Sequence, residues 1–254
     1  MQTTEVLQAI FRWIHIGAGI LWIGLLYFFN FVNGAFAATM DGETKKKVVP
    51  QLMPRALYWF RWGAAWTWVT GVLLLLLVFY HGGILFENPP QPWGVATITM
   101  IAVTFLGFIV YDILMKTVGK ANQAAAVVIG FILIGGFIWA AGHWAGWSYR
   151  AYVIHTGALF GTIMAANVWM RIWPAQRKII TAVKNGQPPD PAVVALAGMR
   201  SKQNTYLSVP LVWTMINSHT ISFANSWLYT LGAVALGWFA AWLIFKKVPK
   251  VKGF

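Results

Sequence analysis

Several stretches of this chain are apolar for long enough to cross a lipid bilayer, and that property leaves few folds open. In hydrocarbon every backbone N–H and C=O must be paired inside the protein, so only helices and closed barrels can span. A core about 30 Å thick takes about 20 helical residues. Apolar runs lie at roughly 9–32, 58–80, 94–116, 121–143, 150–170, 205–219 and 226–245. We read from them one domain over 1–254, an all-α polytopic membrane bundle of about seven transmembrane helices. The sixth run is short and contains Pro210, so it is expected to extend back through 191–204 or to kink inside the bundle. Breaks fall at Gly82-Gly83, Pro89-Pro90, Lys116 to Lys120, and Pro188-Pro189-Asp190-Pro191. Only 10% of residues are charged, against about 25% in soluble domains, which excludes a water-soluble fold.

A net charge of +13 invites a nucleic-acid reading, but the placement of the basic residues argues otherwise. Of the 19 Lys and Arg, all but Arg12 and Arg150 fall on one side of the seven-helix map. The positive-inside rule then puts the N-terminus outside and the C-terminus in the cytoplasm, with a bacterial inner membrane as the expected location. The basic charge orients the protein in lipid, and no nucleic-acid partner is expected. Met1 to Glu5 lacks the basic start of a signal peptide, so the first run is expected to be retained as a helix. The acidic residue inside a predicted span, Asp112, reads as a helix-end partner of Lys116 one turn on.

All five histidines fall on the opposite, charge-poor side. His15 and His155 lie within apolar sequence, about six residues or ~9 Å from the predicted outer helix ends, whereas His81, His143 and His219 lie at such ends. Ionisable side chains in a membrane face the bundle interior or a cavity, which makes a one-sided histidine set a candidate site. His15-Ile-Gly-Ala recurs 140 residues later as His155-Thr-Gly-Ala, and His81 and His219 stand 138 apart. This spacing suggests an internal repeat of helices 1–2 in helices 5–6, with His15 and His155 at equal depth. Small residues flank both: Ala18 and Gly19 beside His15, Ala158, Thr162 and Ala166 beside His155. They suit close helix packing, or room for a flat macrocycle.

Cysteine is absent, which removes thiolate clusters and covalent c-type haem. Neutral imidazoles suit haem iron, copper or zinc. Haem b is the favoured cofactor, with His15 and His155 as metal ligands and His143 or His219 as substitutes or second-site ligands. Arg12 and Arg150 at the outer boundary could pair with its propionates or act as plain helix-end anchors.

The stretch His15-Ile-Gly-Ala-Gly-Ile-Leu-Trp-Ile-Gly-Leu-Leu-Tyr-Phe-Phe-Asn-Phe-Val-Asn33 resembles the urate oxidase N-terminal domain family, the membrane domain of bacterial cytochrome-c-linked urate oxidases. His155-Thr-Gly-Ala-Leu-Phe-Gly-Thr-Ile-Met-Ala-Ala-Asn-Val-Trp169, Trp173-Pro174 and Asn217-Ser218-His219 extend the resemblance over most of the chain. More distantly, the early helix-one histidine is similar to that of haem-containing membrane protoporphyrinogen oxidases. The sequence departs from the family where it reads Ser218-His219-Thr220-Ile221 against Asn-His-Tyr-Pro, and it holds no Cys-x-x-Cys-His. The resemblance implies electron transfer or oxidation of a small organic substrate on the periplasmic side, with a c-type cytochrome as a separate redox partner. Two other classes fit the same residues: a copper or other metal-ion transporter, and a structural subunit of a larger membrane redox complex. Oligomeric state is left open.

Overall fold

The computed structural model describes residues 2–87, 91–218 and 226–251. Seven long helices make up the described chain. Helix α1 runs Gln2–Tyr27 and continues through a π-helical turn, Phe28–Asn33, into Gly34–Thr39. Helix α2 is Gly42–Leu74 with a π-helical end, Leu75–His81. Helix α3 is Val95–Lys116, with a short helix Val118–Ala121 behind it, and α4 is Gln123–His143. Helix α5 runs Tyr149–Asn167, turns π-helical over Val168–Ile172, and resumes over Trp173–Lys184. Helix α6 is Pro191–Asn217 and α7 is Trp227–Lys247.

Local chemistry sets the starts. Asp41 accepts from Thr44 N–H at 2.9 Å and from Thr44 Oγ1 at 2.6 Å, capping α2 and holding its own exposed carboxyl below the usual range. Asn122, Ser148 and Asp190 cap α4, α5 and α6 in the same way. Pro191 follows its cap at the position where a missing N–H costs nothing.

Six of the helical stretches are long and apolar enough to cross a membrane; α6 is not among them. It is nonetheless a core helix, burying Arg200, Asn204, Thr205, Ser208 and Thr214 against α5 and α7. Pro210 packs closely on Gly237 of α7, where an added Cβ would lie 2.9–3.0 Å from the proline ring. Helix α5 is the centre of the bundle: 67% of its most apolar window is buried, against 11% for α1. Helix α1 lies at the edge, laid antiparallel on α2 through Trp22 against Gly63 and His15 against Gly71.

Several helices outrun the spans expected for them. At 1.5 Å per residue, the 37 residues of Thr3–Thr39 make a rod of about 55 Å, nearly twice the ~30 Å hydrocarbon core. Gly42–His81 and Tyr149–Lys184 are comparable. Lys45, Lys46, Lys47 and Arg55 therefore stand on a helix rather than in a loop, and Trp173–Lys184 packs back on α2 and α6. Because α1 begins at Gln2, His15 lies thirteen residues, or about 20 Å, from its start and not the ~9 Å expected.

The repeat has a structural counterpart. The π-helical turns of α1 and α5 each begin thirteen residues beyond their histidine. On α2, Thr67 Oγ1 donates to Gly63 O and Thr70 Oγ1 to Thr67 O; on α6, Thr205 Oγ1 donates to Ser201 O and Ser208 Oγ to Thr205 O. These hydroxyls stand 138 residues apart, the same offset as His81 and His219.

Candidate functional site

The end of the bundle away from the basic residues is closed by a clasp at the start of α5. Ser148 N–H donates to Leu85 O at 2.9 Å and its hydroxyl to Ile84 O at 3.1 Å, while Trp147 pairs with Phe86 across an isolated β-bridge. The clasp lays the Trp147 ring 4.3 Å, centroid to centroid, from the imidazole of His155. Phe79 and Tyr80 at the end of α2 complete the enclosure, and His155 is fully buried.

Both nitrogens of His155 are engaged. Nδ1 lies 2.7 Å from Ala151 O, and a carbonyl only accepts, so Nδ1 carries the proton. Nε2 is then an acceptor, and Tyr80 Oη donates to it at 2.9 Å. A neutral, doubly bonded imidazole is what a buried histidine needs to avoid an unpaired polar atom.

His15 differs. Its Nδ1 donates to Thr67 O at 2.8 Å, with Thr70 Oγ1 at 3.3 Å. Nε2 has no hydrogen-bond partner among the described residues. Gly71 makes the room: a Cβ there would lie 2.9 Å from His15 Cε1. A histidine oriented by Nδ1–H on a carbonyl, with Nε2 unused, has the posture of a metal-ligating imidazole.

The two histidines are not brought together. His15 lies against Thr67 to Gly71 of α2, and His155 against Phe79 and Tyr80 of the same helix. Trp68 Nε1 donates to Thr162 Oγ1, so the level of His15 corresponds to Thr162 on α5, seven residues past His155. The height difference is roughly 10–15 Å. The equal depth expected from the repeat is not observed, because α1 carries a longer helical lead before its histidine than α5, which begins at Tyr149.

The remaining candidates divide. His143 is exposed, its ring stacked on Trp139 and its Nδ1 3.0 Å from Trp139 O. Arg150 donates from Nε to Ser218 O at 3.2 Å, fastening α5 to the end of α6. Arg12 is exposed and reaches Gln8 at 3.5 Å. His219 lies outside the described residues. His81 is exposed at the end of α2.

Outside Trp147 lies a cavity of about 640 Å³, lined by Glu87, Gln91, His143, Trp147, Tyr149 and Trp227 among others. Trp147 Nε1 and Tyr149 Oη are buried and have no hydrogen-bond partner among the described residues. Tyr152 Oη on the same wall is a third such group, and because buried donors in native proteins are almost always paired, these orphans suit a ligand that offers acceptors. Among the described residues, no three His, Cys, Asp or Glu side chains gather as a metal site.

A second polar centre sits toward the basic end. Asp112 accepts from Arg171 Nε at 2.9 Å and Nη2 at 2.5 Å, from Arg200 Nη2 at 2.8 Å, and from Lys116 Nζ at 2.8 Å. The Lys116 partner was expected; the two arginines were not, because both sort with the loop cations when charge alone marks the membrane edge. The available signal was that a carboxylate inside a span demands cationic neighbours from other helices. Asn167, Asn204, Tyr111 and Gln203 extend the hydrogen bonding from this centre. Tyr80 and Trp147 were also missed, since neither carries a periodic or charge signal.

No curated protein and no solved structure matches the chain. The family model described as urate oxidase N-terminal matches residues 40–248, which takes in His143, Arg150, His155 and His219 and leaves Arg12 and His15 before its start. That match extends from the α1–α2 turn to the end of α7, across the clasp, the buried His155 and the Asp112 centre alike, and the chain belongs to the urate oxidase N-terminal family.

Proposed function

We propose that the protein is a membrane oxidoreductase of urate-oxidase type that takes a small, planar, acceptor-rich organic substrate at its histidine end and passes the electrons on through haem b. The positive-inside rule makes that end periplasmic, so the electron acceptor is a separate periplasmic c-type cytochrome. The observation that carries the reading is the outer cavity, whose wall includes Trp147 and Tyr149 with their unpaired Nε1 and Oη, the Trp147 ring lying against the buried His155.

Of the candidate ligands, His15 is the one whose imidazole would hold a b-type haem. Its Nε2 is unused, its Nδ1–H is anchored on Thr67 O, and Gly71 leaves the imidazole clear of side-chain bulk. His155 does not fit as a second ligand alongside His15, since it lies roughly 10–15 Å higher and its Nε2 is committed to Tyr80. When bound, the haem supplies a one-electron relay between substrate and acceptor. The chain itself binds and orients the substrate on Trp147 and Tyr149, and Glu87 or His143 at the cavity wall can take a substrate proton into solvent. His155, with Tyr80 and Ala151 on its two nitrogens, fixes the Trp147 wall rather than reacting.

A pyridine haemochrome spectrum of the purified protein tests the cofactor, and anaerobic addition of urate tests the substrate class. A b-type signal reduced by urate, and reduced much more slowly in Tyr149→Phe, is the expected result. A colourless protein overturns the haem reading. A haem indifferent to urate and related planar heterocycles, with Tyr149→Phe unchanged, overturns the oxidase reading.

A further inference from the structure

A lateral groove opens toward the lipid between α3, α4, α6 and α7, with a volume of about 710 Å³. Its body is apolar, walled by Val103, Val110, Leu133, Phe137 and Trp238. Its mouth is polar and lies at the basic end, where Gln123, Lys202 and Gln203 line it. From Met115 to Val103 it spans twelve residues of α3, about 18 Å. Half of a ~30 Å hydrocarbon core is about 15 Å, so the groove is one leaflet deep.

The charge at the mouth decides the occupant. Lys202 Nζ lies 5.1 Å from the centroid of Phe245, and Lys246 Nζ lies 3.6 Å from that of Trp242, which itself lines the groove. Residues 242, 245 and 246 share one helical turn, so both ammonium groups stand at the same level of α7. Neither lysine has a carboxylate within ion-pair distance among the described residues. The one nearby acid, Asp112, is already taken by Lys116, Arg171 and Arg200. Two cations without counter-ions above an acyl-length apolar groove call for an anionic head on an apolar tail.

We infer that this groove is a binding site for an anionic phospholipid of the cytoplasmic leaflet, with one acyl chain along α3 and α4 and the phosphate at Lys202 and Lys246. A neutral isoprenoid quinone would match the apolar body but leave both ammonium groups without a counter-charge. The inference stands whether or not the outer end is an oxidase site.

The test equilibrates the purified full chain in mixed micelles of equal phosphatidylglycerol and phosphatidylcholine and then quantifies the lipids that stay bound. Each surface lysine adds roughly fivefold to the attraction for acidic lipid, so bound phosphatidylglycerol should exceed phosphatidylcholine by well over that factor. The double variant Lys202→Gln/Lys246→Gln should bring the ratio close to one, while Lys45→Gln/Lys47→Gln, on the α2 extension, should leave it unchanged. Gly130 lines the groove and a Cβ there would meet nothing within 4 Å. Gly130→Phe should therefore fold and lower the total lipid retained, and it decides the matter if the lysine variant does not fold. Equal retention of the two lipids by the native chain overturns the inference. So does enrichment that survives Lys202→Gln/Lys246→Gln, displacement of phosphatidylglycerol by an isoprenoid quinone, or full competition by inorganic phosphate alone.

Discussion

Helices α1 and α5 carry the same four-residue motif type, the same thirteen-residue interval from histidine to π-helical turn, and partner helices with matching hydroxyl patterns, yet their histidines have opposite fates. His155 lies in the most buried helix of the bundle and spends both nitrogens on neighbours. His15 lies in the least buried helix and spends one. The difference is one of surroundings, not of motif. In the α5 half, the clasp at Ser148 and the π-helical end of α2 bring Tyr80 and Trp147 onto the imidazole; in the α1 half, the ring lies against Thr67 and Gly71 of α2. The same motif thus ends with one imidazole whose Nε2 has no partner among the described residues and another held at both nitrogens.

The widest gap between the two halves should appear on truncation. His15→Ala is expected to strip haem from the purified protein by more than about tenfold, since even outer-shell partners of a ligand are worth that much; absorbance per protein measures it. His155→Ala should keep most of its haem per folded molecule and instead lose about 2–4 kcal/mol of stability from the cavity and the orphaned Tyr80 hydroxyl, read as an earlier thermal transition in detergent. If the two variants exchange these phenotypes, the assignment of ligand and scaffold is reversed. Gly71→Ala probes the uncrowded side: a methyl 2.9 Å from His15 Cε1 must push the ring, and about a fivefold fall in haem occupancy with a displaced midpoint potential follows from overpacking of that size. The smallest effect belongs to Tyr80→Phe, which removes one hydrogen bond to His155 and should cost about 1 kcal/mol of stability with haem content untouched.

Helix number and class were legible because apolar length is a strong signal, and so was the Lys116 partner of Asp112, a contact one turn away on the same helix. What sequence hid is instructive. The extensions Gly34–Thr39, 42–57 and Trp173–Lys184 look like loops because charge marks where hydrocarbon ends, whereas a helix is free to continue into water. Helix α6 looked short for the complementary reason: its polar side chains Arg200, Asn204 and Ser208 dilute hydropathy, yet they face protein and not lipid. The candidate site was half legible. One-sided histidines pointed to the end of the bundle that holds the Trp147 cavity, but depth depends on where each helix starts, and the partners Tyr80 and Trp147 come from chain segments 75 and 8 residues from His155 that no local pattern connects.

The arrangement at Asp112 also makes α6 dependent on its neighbours. When α3 leaves the ribosome its carboxylate has only Lys116 for company, and α6 emerges too polar to partition into lipid unaided. Arg200 becomes tolerable in hydrocarbon only beside Asp112, and Asn204 only against Met164 O and Asn167 of α5. Helix α6 therefore depends on α3 and α5 for its place in the bundle, and a chain that ends before residue 200 keeps Lys116 and Arg171 at Asp112 but lacks the third cation of that centre.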